Sequence, residues 1–390
     1  MVRNPIKNLE DDFAMKVCYF GTYRDEYNRN KIMIAALKSA GVEVIICHEN
    51  LWRGIDDREN ITAGGWRSPN FWWRVIKAYT KLIAKSFSVG KFDVMILGYP
   101  GQFDVFLAKI ICLLKRRPLT WDVFMSVYLV AIERKLEKSR YSAVNFLKYI
   151  ENRALGIPDL LIQDTHQYVE WFFETYGIEE ERFRLIPTGA DDSVFMPTKQ
   201  PEFNKEKFRV LYYGTFIANH GLNHIIEAVK LLVSWSEIEF LFIGEGPEKT
   251  EIVQKAETLC LTNATFMDWC TQIELVEQIS AADICLGAFG STPQSLMTVQ
   301  NKIYECMACG KAVITGISPA VQDQFTDEVE IKMCERNGKS IANAILFLKE
   351  NPNLVERIGH QARQSFLDNY SINTLGKIFR AHLETLLKCK

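Results

Sequence analysis

The stretch that decides the fold is FGSTPQSLMTVQNKIYECMACGKAVIT, residues 289–315. A loop rich in Ser, Thr and Gln runs into a short helix, and Gly310 stops that helix just before an apolar strand begins. Asn301 is expected to cap the helix, which puts Lys302 in its first turn. Glu305 stands four residues past that cap, whereas a capping-box acid stands three past it, so its carboxylate is not needed for capping. The pattern therefore predicts an anion-binding helix N-terminus with a lysine beside it and an uncommitted acid one turn on. N–H groups and a lysine suit the phosphates of a sugar diphosphate, and a carboxylate suits ribose hydroxyls.

Outward from this stretch, short apolar runs alternate with longer periodic ones, the rhythm of βαβ units and parallel sheets. In the first half, strands are expected at 16–20, 43–47, 94–97, 119–122 and 160–163, with helices at 29–40, 68–87, 103–115, 140–154 and 166–176. In the second half, strands are expected at 208–213, 238–243, 264–267, 283–287, 312–315 and 329–332. Helices there are expected at 221–235, 247–259, 272–281, 301–309 and 338–349, and 352–368 and 372–388 close the chain.

The halves resemble each other where each begins. YFGTYRDEYNRNKIMIAALKSAG from Tyr19 and YYGTFIANHGLNHIIEAVKLL from Tyr212 both read aromatic-aromatic-Gly-Thr-aromatic, then a polar loop, then an amphipathic helix. In each, a strand ends at a glycine, Gly21 or Gly214, where the backbone can turn tightly and approach a ligand. Two such openings 193 residues apart argue for an α/β protein of two Rossmann-like domains facing across a cleft. A chain of 390 residues exceeds one ordinary core, and the polar, proline-bearing MPTKQPEFNKEKF at 196–208 supplies a joint. The expected division is 1–198, 199–370 and a last helix, 371–390, packing back on the first domain.

Composition narrows the class. An apolar share of 48% with 24% charged residues is that of an ordinary globular protein. Most of the ten cysteines lie in apolar runs, and MVRNPIKNLEDDF lacks the apolar core of a signal peptide, so reduced thiols in the cytoplasm are expected. Cys306 and Cys309 share one helical face without a second Cys/His pair, which favours core packing over a metal. No uninterrupted apolar run reaches membrane-spanning length. Residues 61–150 hold 15 Lys and Arg against 5 Asp and Glu, a net of +10 in a chain whose total is −2. Within them FWWRVIKAYTKLIAKSF, residues 71–87, places Arg74, Lys77, Lys81 and Lys85 at helical spacing among aromatics. Two readings stand side by side: a segment resting on an anionic membrane surface, or a solvated helix whose lysines cover apolar neighbours. No nucleic-acid partner is expected.

Further site candidates sit at strand ends. Gly214 and Thr215 with His220 form a phosphate-facing loop, and Gly21 and Thr22 its counterpart in the first half. FIGEGP at 242–247 is a strand followed by a Gly-x-Gly turn, which places Glu245 and Gly246 at a sheet's carboxyl edge. Trp269, after the next strand, is placed either to flank a nucleobase or to plug the domain edge. Asp122 ends an apolar strand in the first half without a helix start behind it, and is the candidate for orienting an acceptor hydroxyl or the sugar ring. Arg24 and Arg29 follow the first glycine loop, within reach of a phosphate or an anionic acceptor.

These residues resemble the GT-B glycosyltransferases, specifically the large retaining family numbered 4, or glycosyl transferases group 1. The resemblance runs along nearly the whole chain: the first Gly-Thr loop, LIPTGADDSVFMP, YYGTF with His220-Gly221, FIGEGP, NKIYECMACGKAVIT and the closing helices. It implies a nucleotide-diphosphate sugar, of UDP or GDP type, held mainly by the C-terminal domain. It also implies transfer with retention to a glycan or polyprenyl-linked acceptor, and no obligatory metal. Lys302 is then expected on the diphosphate and Glu305 on the ribose, with Gly214 and Thr215 along the phosphates and Glu245-Gly246 on the nucleotide side. Three positions depart from the family pattern. Thr215 replaces the usual Arg after the loop glycine, His220 the usual Lys, and Met297 the first of two glutamates eight positions apart. A sugar-nucleotide epimerase of the same fold, a non-catalytic subunit of a glycan-assembly complex and a peripheral membrane tether are the alternatives. The expected location is cytoplasmic, with peripheral attachment to the inner face of the plasma membrane on the membrane reading.

Overall fold

The computed structural model describes residues 15–51, 68–134, 137–198 and 207–389. The N-terminal stretch and most of the expected joint lie outside these residues. Two six-stranded sheets organise the chain. The first has the order β2-β1-β3-β4-β5-β6, from β1 (Lys16–Gly21), β2 (Glu43–His48), β3 (Val94–Leu97), β4 (Leu119–Asp122), β5 (Leu160–Gln163) and β6 (Phe183–Leu185). The second has the order β12-β11-β10-β7-β8-β9, from β7 (Phe208–Tyr213), β8 (Ile238–Ile243), β9 (Ala264–Met267), β10 (Ile284–Leu286), β11 (Ala312–Gly316) and β12 (Lys332–Cys334). Every adjacent pair in the second sheet is parallel, as are β1–β2, β1–β3 and β3–β4. The architecture is α/β with two doubly wound sheets, as the alternating pattern predicts.

The helices of the first half are α1 (Asn28–Ser39), α2 (Pro69–Ser88), α3 (Asp104–Lys115), α4 (Val127–Glu133), α5 (Glu137–Leu155) and α6 (His166–Tyr176). The second half adds α7 (Leu222–Leu231), α8 (Lys249–Thr258), α9 (Gln272–Ala281), α10 (Pro293–Met297), α11 (Asn301–Ala308), α12 (Pro319–Gln324), α13 (Gly338–Glu350), α14 (Pro352–Asn369) and α15 (Ile372–Lys388). Three of these, α4, α10 and α12, and strand β6 fall where the sequence pattern predicts none. All four are seven residues or shorter, too short to show a period. The last strand lies at 332–334 instead of 329–332, because Thr326–Ile331 form a turn in which the N–H groups of Val329 and Glu330 both reach the Thr326 carbonyl.

Contacts divide the chain into one unit of Met1–Val123, Arg153–Leu161 and Gly376–Lys390, and another of Phe124–Asn152 and Ile162–Leu375. These units do not follow a single cut at 198/199. Residues after β4 group with the second half, since Gln294 N–H and Asn219 Nδ2 both donate to the Glu133 carboxylate, and Thr165 Oγ1 donates to the Met297 carbonyl. The last part of α15 groups with the first unit, where Arg380 donates to the Ala40 carbonyl.

In each sheet the first strand lies between strands reached by opposite crossovers, which opens a crevice at the carboxyl ends of its strands. In the first sheet the crevice lies between β1 and β3, in the second between β7 and β10. Two apolar clusters sandwich the second sheet. Tyr212 belongs to one and Tyr213 to the other, as strand alternation dictates.

Candidate active site

The second crevice is built from the loop after β7. Gly214 has φ 143°, and a Cβ there would lie 2.9 Å from Lys302 Nζ. The backbone conformation requires glycine here, and the absent side chain leaves the space into which the end of Lys302 reaches. The neighbouring loop stacks on this one: Phe216 N–H donates to the Glu245 carbonyl at 2.8 Å, and Glu248 N–H donates back to the Phe216 carbonyl at 3.0 Å. Gly246 packs against the Phe216 backbone. Across the crevice, Phe289 N–H donates to the His220 carbonyl at 2.9 Å, which fixes the loop after β10 against the loop after β7.

Helix α11 delivers the charged pair. It begins at Asn301 itself, with extended Gln300 at the cap position and no side chain capping it. Asn301 is therefore the first helical residue and not the cap, because the turn closes one residue earlier through Ile303 N–H on the Gln300 carbonyl. Its C-terminus follows the sequence reading. Gly310 is left-handed, its N–H donates to Met307 O and the Lys311 N–H donates to Cys306 O, a Schellman closure.

Lys302 and Glu305, one turn apart, are both buried, and both bear on the tyrosines that end β7. The Lys302 ammonium sits 4.1 Å from the centroid of the Tyr212 ring. Glu305 Oε2 accepts from the Tyr213 hydroxyl at 2.8 Å. Successive residues of one strand point to opposite faces, so α11 straddles the end of β7 and uses both. No carboxylate among the described residues makes an ion pair with Lys302. Burial drives its ammonium down to about 7, opposed by Cys306 and Glu305. Burial likewise drives the Glu305 carboxyl up to about 7, opposed by the Tyr213 hydrogen bond and Lys302. The site thus holds a cation and an acid that are each costly to keep charged without a ligand.

His220 does not supply the positive charge that its position invites. Burial, and then the Lys302 charge, hold it well below the usual histidine range. Its Nδ1 lies 2.7 Å from the Thr215 carbonyl, which only a protonated nitrogen can approach as a donor, so in the neutral ring Nε2 carries the lone pair. Tyr212 Oη and Lys302 Nζ lie 2.8 and 3.4 Å from the same nitrogen. Thr215 contributes its backbone carbonyl to this arrangement. Glu245 is engaged by Lys249 at 2.7 Å, and Lys249 also meets Asp268, so what Glu245 gives the loop packing is its main chain. Trp269, 47% exposed, stands just beyond β9.

Five first-half candidates are placed otherwise than expected. Asp122 and Arg29 are fully buried and form a forked ion pair, with Nε 2.9 Å from Oδ2 and Nη2 2.9 Å from Oδ1. Each satisfies the other, so neither side chain reaches solvent to meet an acceptor or a phosphate. Gly21 and Thr22 form a polar crevice, but an internal carboxylate fills it. Asp104 Oδ2 accepts from Thr22 N–H at 2.6 Å and from Thr22 Oγ1 at 3.0 Å, while the Tyr79 hydroxyl donates to Oδ1 at 2.6 Å. Arg24 pairs with Glu26 at 3.1 Å and lies over the Tyr27 ring.

Sequence reasoning passed over a buttress behind the site. Glu133 accepts from Gln294 N–H at 2.8 Å and from Asn219 Nδ2 at 3.2 Å, and Ser295 Oγ donates to the Asn219 carbonyl at 2.7 Å. Arg336 Nε donates to the Ile317 carbonyl at 2.7 Å and Nη1 to the Gly290 carbonyl, while burial pushes the guanidinium down to about 10. These residues are far apart in sequence and carry no motif. The tyrosine pair did carry a signal, since it stands immediately before Gly214 in the repeated opening. Among the described residues no three His, Cys, Asp or Glu side chains are grouped to hold a metal ion.

Two Rossmann-like sheets, with a glycine loop and a Lys/Glu helix at the second crevice, define the chain as a GT-B protein. Residues 197–365 match the family model described as glycosyl transferases group 1, so the chain carries a glycosyltransferase domain of that family. Similar solved structures span it end to end. HepE of Anabaena in complex with UDP has a TM-score of 0.69 at 14% identity over 95% of this chain and 99% of that one. Sucrose-phosphate synthase from Thermosynechococcus elongatus has 0.72 at 15%, over 96% and 100%. A glycosyltransferase from Rickettsia africae has 0.68 at 13%, over 97% and 100%. At these identities the likeness shows the fold. No curated protein matches the chain in sequence.

Proposed function

We propose that the protein transfers a sugar, with retention of anomeric configuration and without an obligatory metal, from a UDP- or GDP-sugar to a glycan or polyprenyl-linked acceptor. The observation that carries the reading is the buried Lys302 beside Gly214 and at the uncapped start of α11, with Glu305 one turn on. A diphosphate against Lys302 restores the charge that burial suppresses, and Glu305 accepts from ribose hydroxyls. HepE has been crystallised with UDP-glucose, which favours a UDP-sugar here.

In the front-side displacement we favour, the bond from the anomeric carbon to the diphosphate oxygen breaks as the acceptor oxygen approaches the same face. The leaving oxygens gather negative charge, which Lys302 and the N–H groups opening α11 stabilise. A departing phosphate oxygen takes the acceptor's proton, so no second carboxylate is required. His220, neutral, serves a sugar hydroxyl as acceptor better than a phosphate oxygen as donor. With Asp122 locked to Arg29, acceptor orientation falls to other groups.

Peripheral attachment through 71–87 fits the exposed Trp72, Trp73 and Phe87 on α2. Among the described residues no helix is long and apolar enough to cross a membrane. The direct test of the transfer reading is a thermal-shift series with UDP, GDP, ADP and their sugars, followed by NMR of the product anomer with and without EDTA. A several-degree shift with one nucleoside diphosphate and a retained anomer in EDTA are expected. No shift with any of them overturns the donor site, and an inverted product overturns the mechanism. Incubation with donor alone distinguishes an epimerase, which would release an epimer without acceptor.

A further inference from the structure

Two neighbouring helices of the first unit carry outer faces that donor binding does not use. On α2 the exposed large apolar side chains are Trp72, Trp73, Ile76, Ile83 and Phe87, while Ala78, Leu82 and Ser86 face inward. Residues 72, 76, 83 and 87 fall on one stripe of a 3.6-residue helix. On α3 and its cap position the pattern recurs with Phe103, Phe106, Ile110, Leu113 and Leu114 outside, and Val105, Ala108, Ile111 and Cys112 inside. Phe87 and Leu114 keep 79% and 77% of their surface in solvent. The helices lie side by side, tied by the Tyr79 hydroxyl on Asp104 at 2.6 Å and by Lys115 Nζ on the Val89 carbonyl at 2.7 Å. Singly scattered apolar residues are normal on a surface, but a stripe of four with Trp73 at its edge beside five more on the next helix is not.

Charge decides what covers them. Residues 68–118 contain nine Lys and Arg against two Asp and Glu, and one of the acids, Asp104, is buried. On α2 some of this charge is engaged, since Lys85 lies 2.6 Å from Glu49. At the end of α3 it gathers around an open cleft of about 410 Å³ lined by Lys109, Arg116 and Arg117, with Leu113 and Leu387 as its apolar wall and Asp159 as its acid. Asp159 stands 3.6 Å from Lys109 and accepts from Leu119 N–H, and Arg117 stands 3.6 Å from Asp93. Arg116, exposed in a left-handed conformation, closes the helix. Cations at a helix C-terminus favour its dipole, which accounts for Lys115 and Arg116. It does not account for a basic cleft opening beside Leu113 and Leu114, both left in water. Apolar and tryptophan side chains flanked by cations suit the interface of an anionic bilayer, where the former enter the acyl boundary and the latter meet phosphates.

We infer that α2 and α3 together form a face that rests on an anionic bilayer, and that the cleft at the end of α3 takes a phospholipid headgroup phosphate. This extends the attachment proposed for α2 and is independent of the donor site. The test is flotation of the full chain with vesicles of phosphatidylglycerol and phosphatidylcholine, and with phosphatidylcholine alone. The protein should float with the anionic vesicles only. Leu113→Asp with Leu114→Asp, and separately Lys109→Gln with Arg116→Asn, should each lower partitioning by about tenfold or more. Asn tolerates the left-handed backbone at 116, and an unchanged UDP thermal shift shows that each variant is folded. Equal partitioning of wild type and variants, or equal binding to neutral vesicles, overturns the inference. So does a thermal shift with inorganic phosphate, sensitive to Lys109 and Arg116, without vesicle binding. Sedimentation showing a dimer that the leucine variant dissociates, again without lipid binding, overturns it too. A missing UDP shift in wild type with intact flotation leaves this inference standing and sinks only the donor reading.

Discussion

The chain opens each half with the same device, a strand ending in aromatic-Gly-Thr at the crevice of its sheet, and then fills the two crevices with opposite charges. At Gly21-Thr22 the occupant is the Asp104 carboxylate, which takes both the N–H and the hydroxyl of Thr22. At Gly214-Thr215 the occupant is the Lys302 ammonium, with a tyrosine ring beneath it and no carboxylate paired to it among the described residues. The first crevice answers its own donors and is closed to an anion. The second presents a cation whose burial is uncompensated until an anion arrives. A glycine loop at a strand end thus marks a place where a ligand can bind, and the residue the next helices send into it decides whether one does.

The comparison breaks most readily at Lys302. Lys302→Ala should lower turnover by about 10²-fold or more, roughly 2.7 kcal/mol of transition-state stabilisation, and abolish the nucleoside-diphosphate thermal shift. The apo protein should be no less stable than wild type, because the replaced ammonium is buried against its preference. Normal kinetics in this variant would remove the lysine from the reaction. The mirror experiment is Asp104→Ala. It strands the Thr22 and Tyr79 donors and should cost about 2 kcal/mol in denaturant unfolding, while nucleotide affinity stays unchanged. A large loss of nucleotide affinity from Asp104→Ala would mean that the first crevice is not merely structural.

Much of this was legible beforehand. Apolar runs bounded by Gly or polar turns placed nearly every strand of four or more residues, because buried parallel strands leave continuous signatures. Lys302 and Glu305 stand one turn apart in one helix, as their spacing predicts, whereas no spacing in the chain announces that Gly214 meets a lysine 88 residues on. What could not be read was partnership between distant residues. Nothing near Asp122 announces that Arg29, 93 residues earlier, fills its fork, and nothing near Thr22 announces Asp104. The protonation of His220 was illegible for the same reason, because it depends first on burial and then on an ammonium 82 residues away, opposed by a carbonyl five residues away.

The comparison sharpens with pH. Glu305 is raised from its usual value to about 7, so the folded state binds the extra proton between about 4.5 and 7, and stability from this group falls as pH rises through that window. Lys302 is lowered from 10.5 to about 7, so the unfolded state binds the extra proton between those values, and stability from this group rises with pH there. The two together should leave the free protein least stable near neutral pH, by up to about 1.4 kcal/mol per pH unit and group on either side. Melting temperatures across pH should show the alkaline limb of that trough in wild type and lack it in Lys302→Met. Nucleoside-diphosphate binding should take up a proton near pH 7 to 8 and weaken by up to about tenfold per unit above it. Calorimetry in buffers of different ionisation enthalpy reads the uptake, and pH-independent affinity would mean that Lys302 is already fully charged in the free site.

The smallest effect distinguishes the second crevice's rim from its floor. Trp269 lies beyond β9, the strand next to β8, half in solvent, where it can stack on a nucleobase. A stacking contact is worth about 1–3 kcal/mol when removed in single-stranded nucleic acid complexes, and a rim position should lie at the lower end. Trp269→Ala should therefore raise the KM for the donor by about fivefold and leave kcat alone, because stacking on the base is the same in ground and transition states. A fall in kcat instead would place the indole against the reacting sugar. An unchanged KM would leave the base to the backbone of the loop at Glu245-Gly246, which is held against Phe216 with or without the tryptophan.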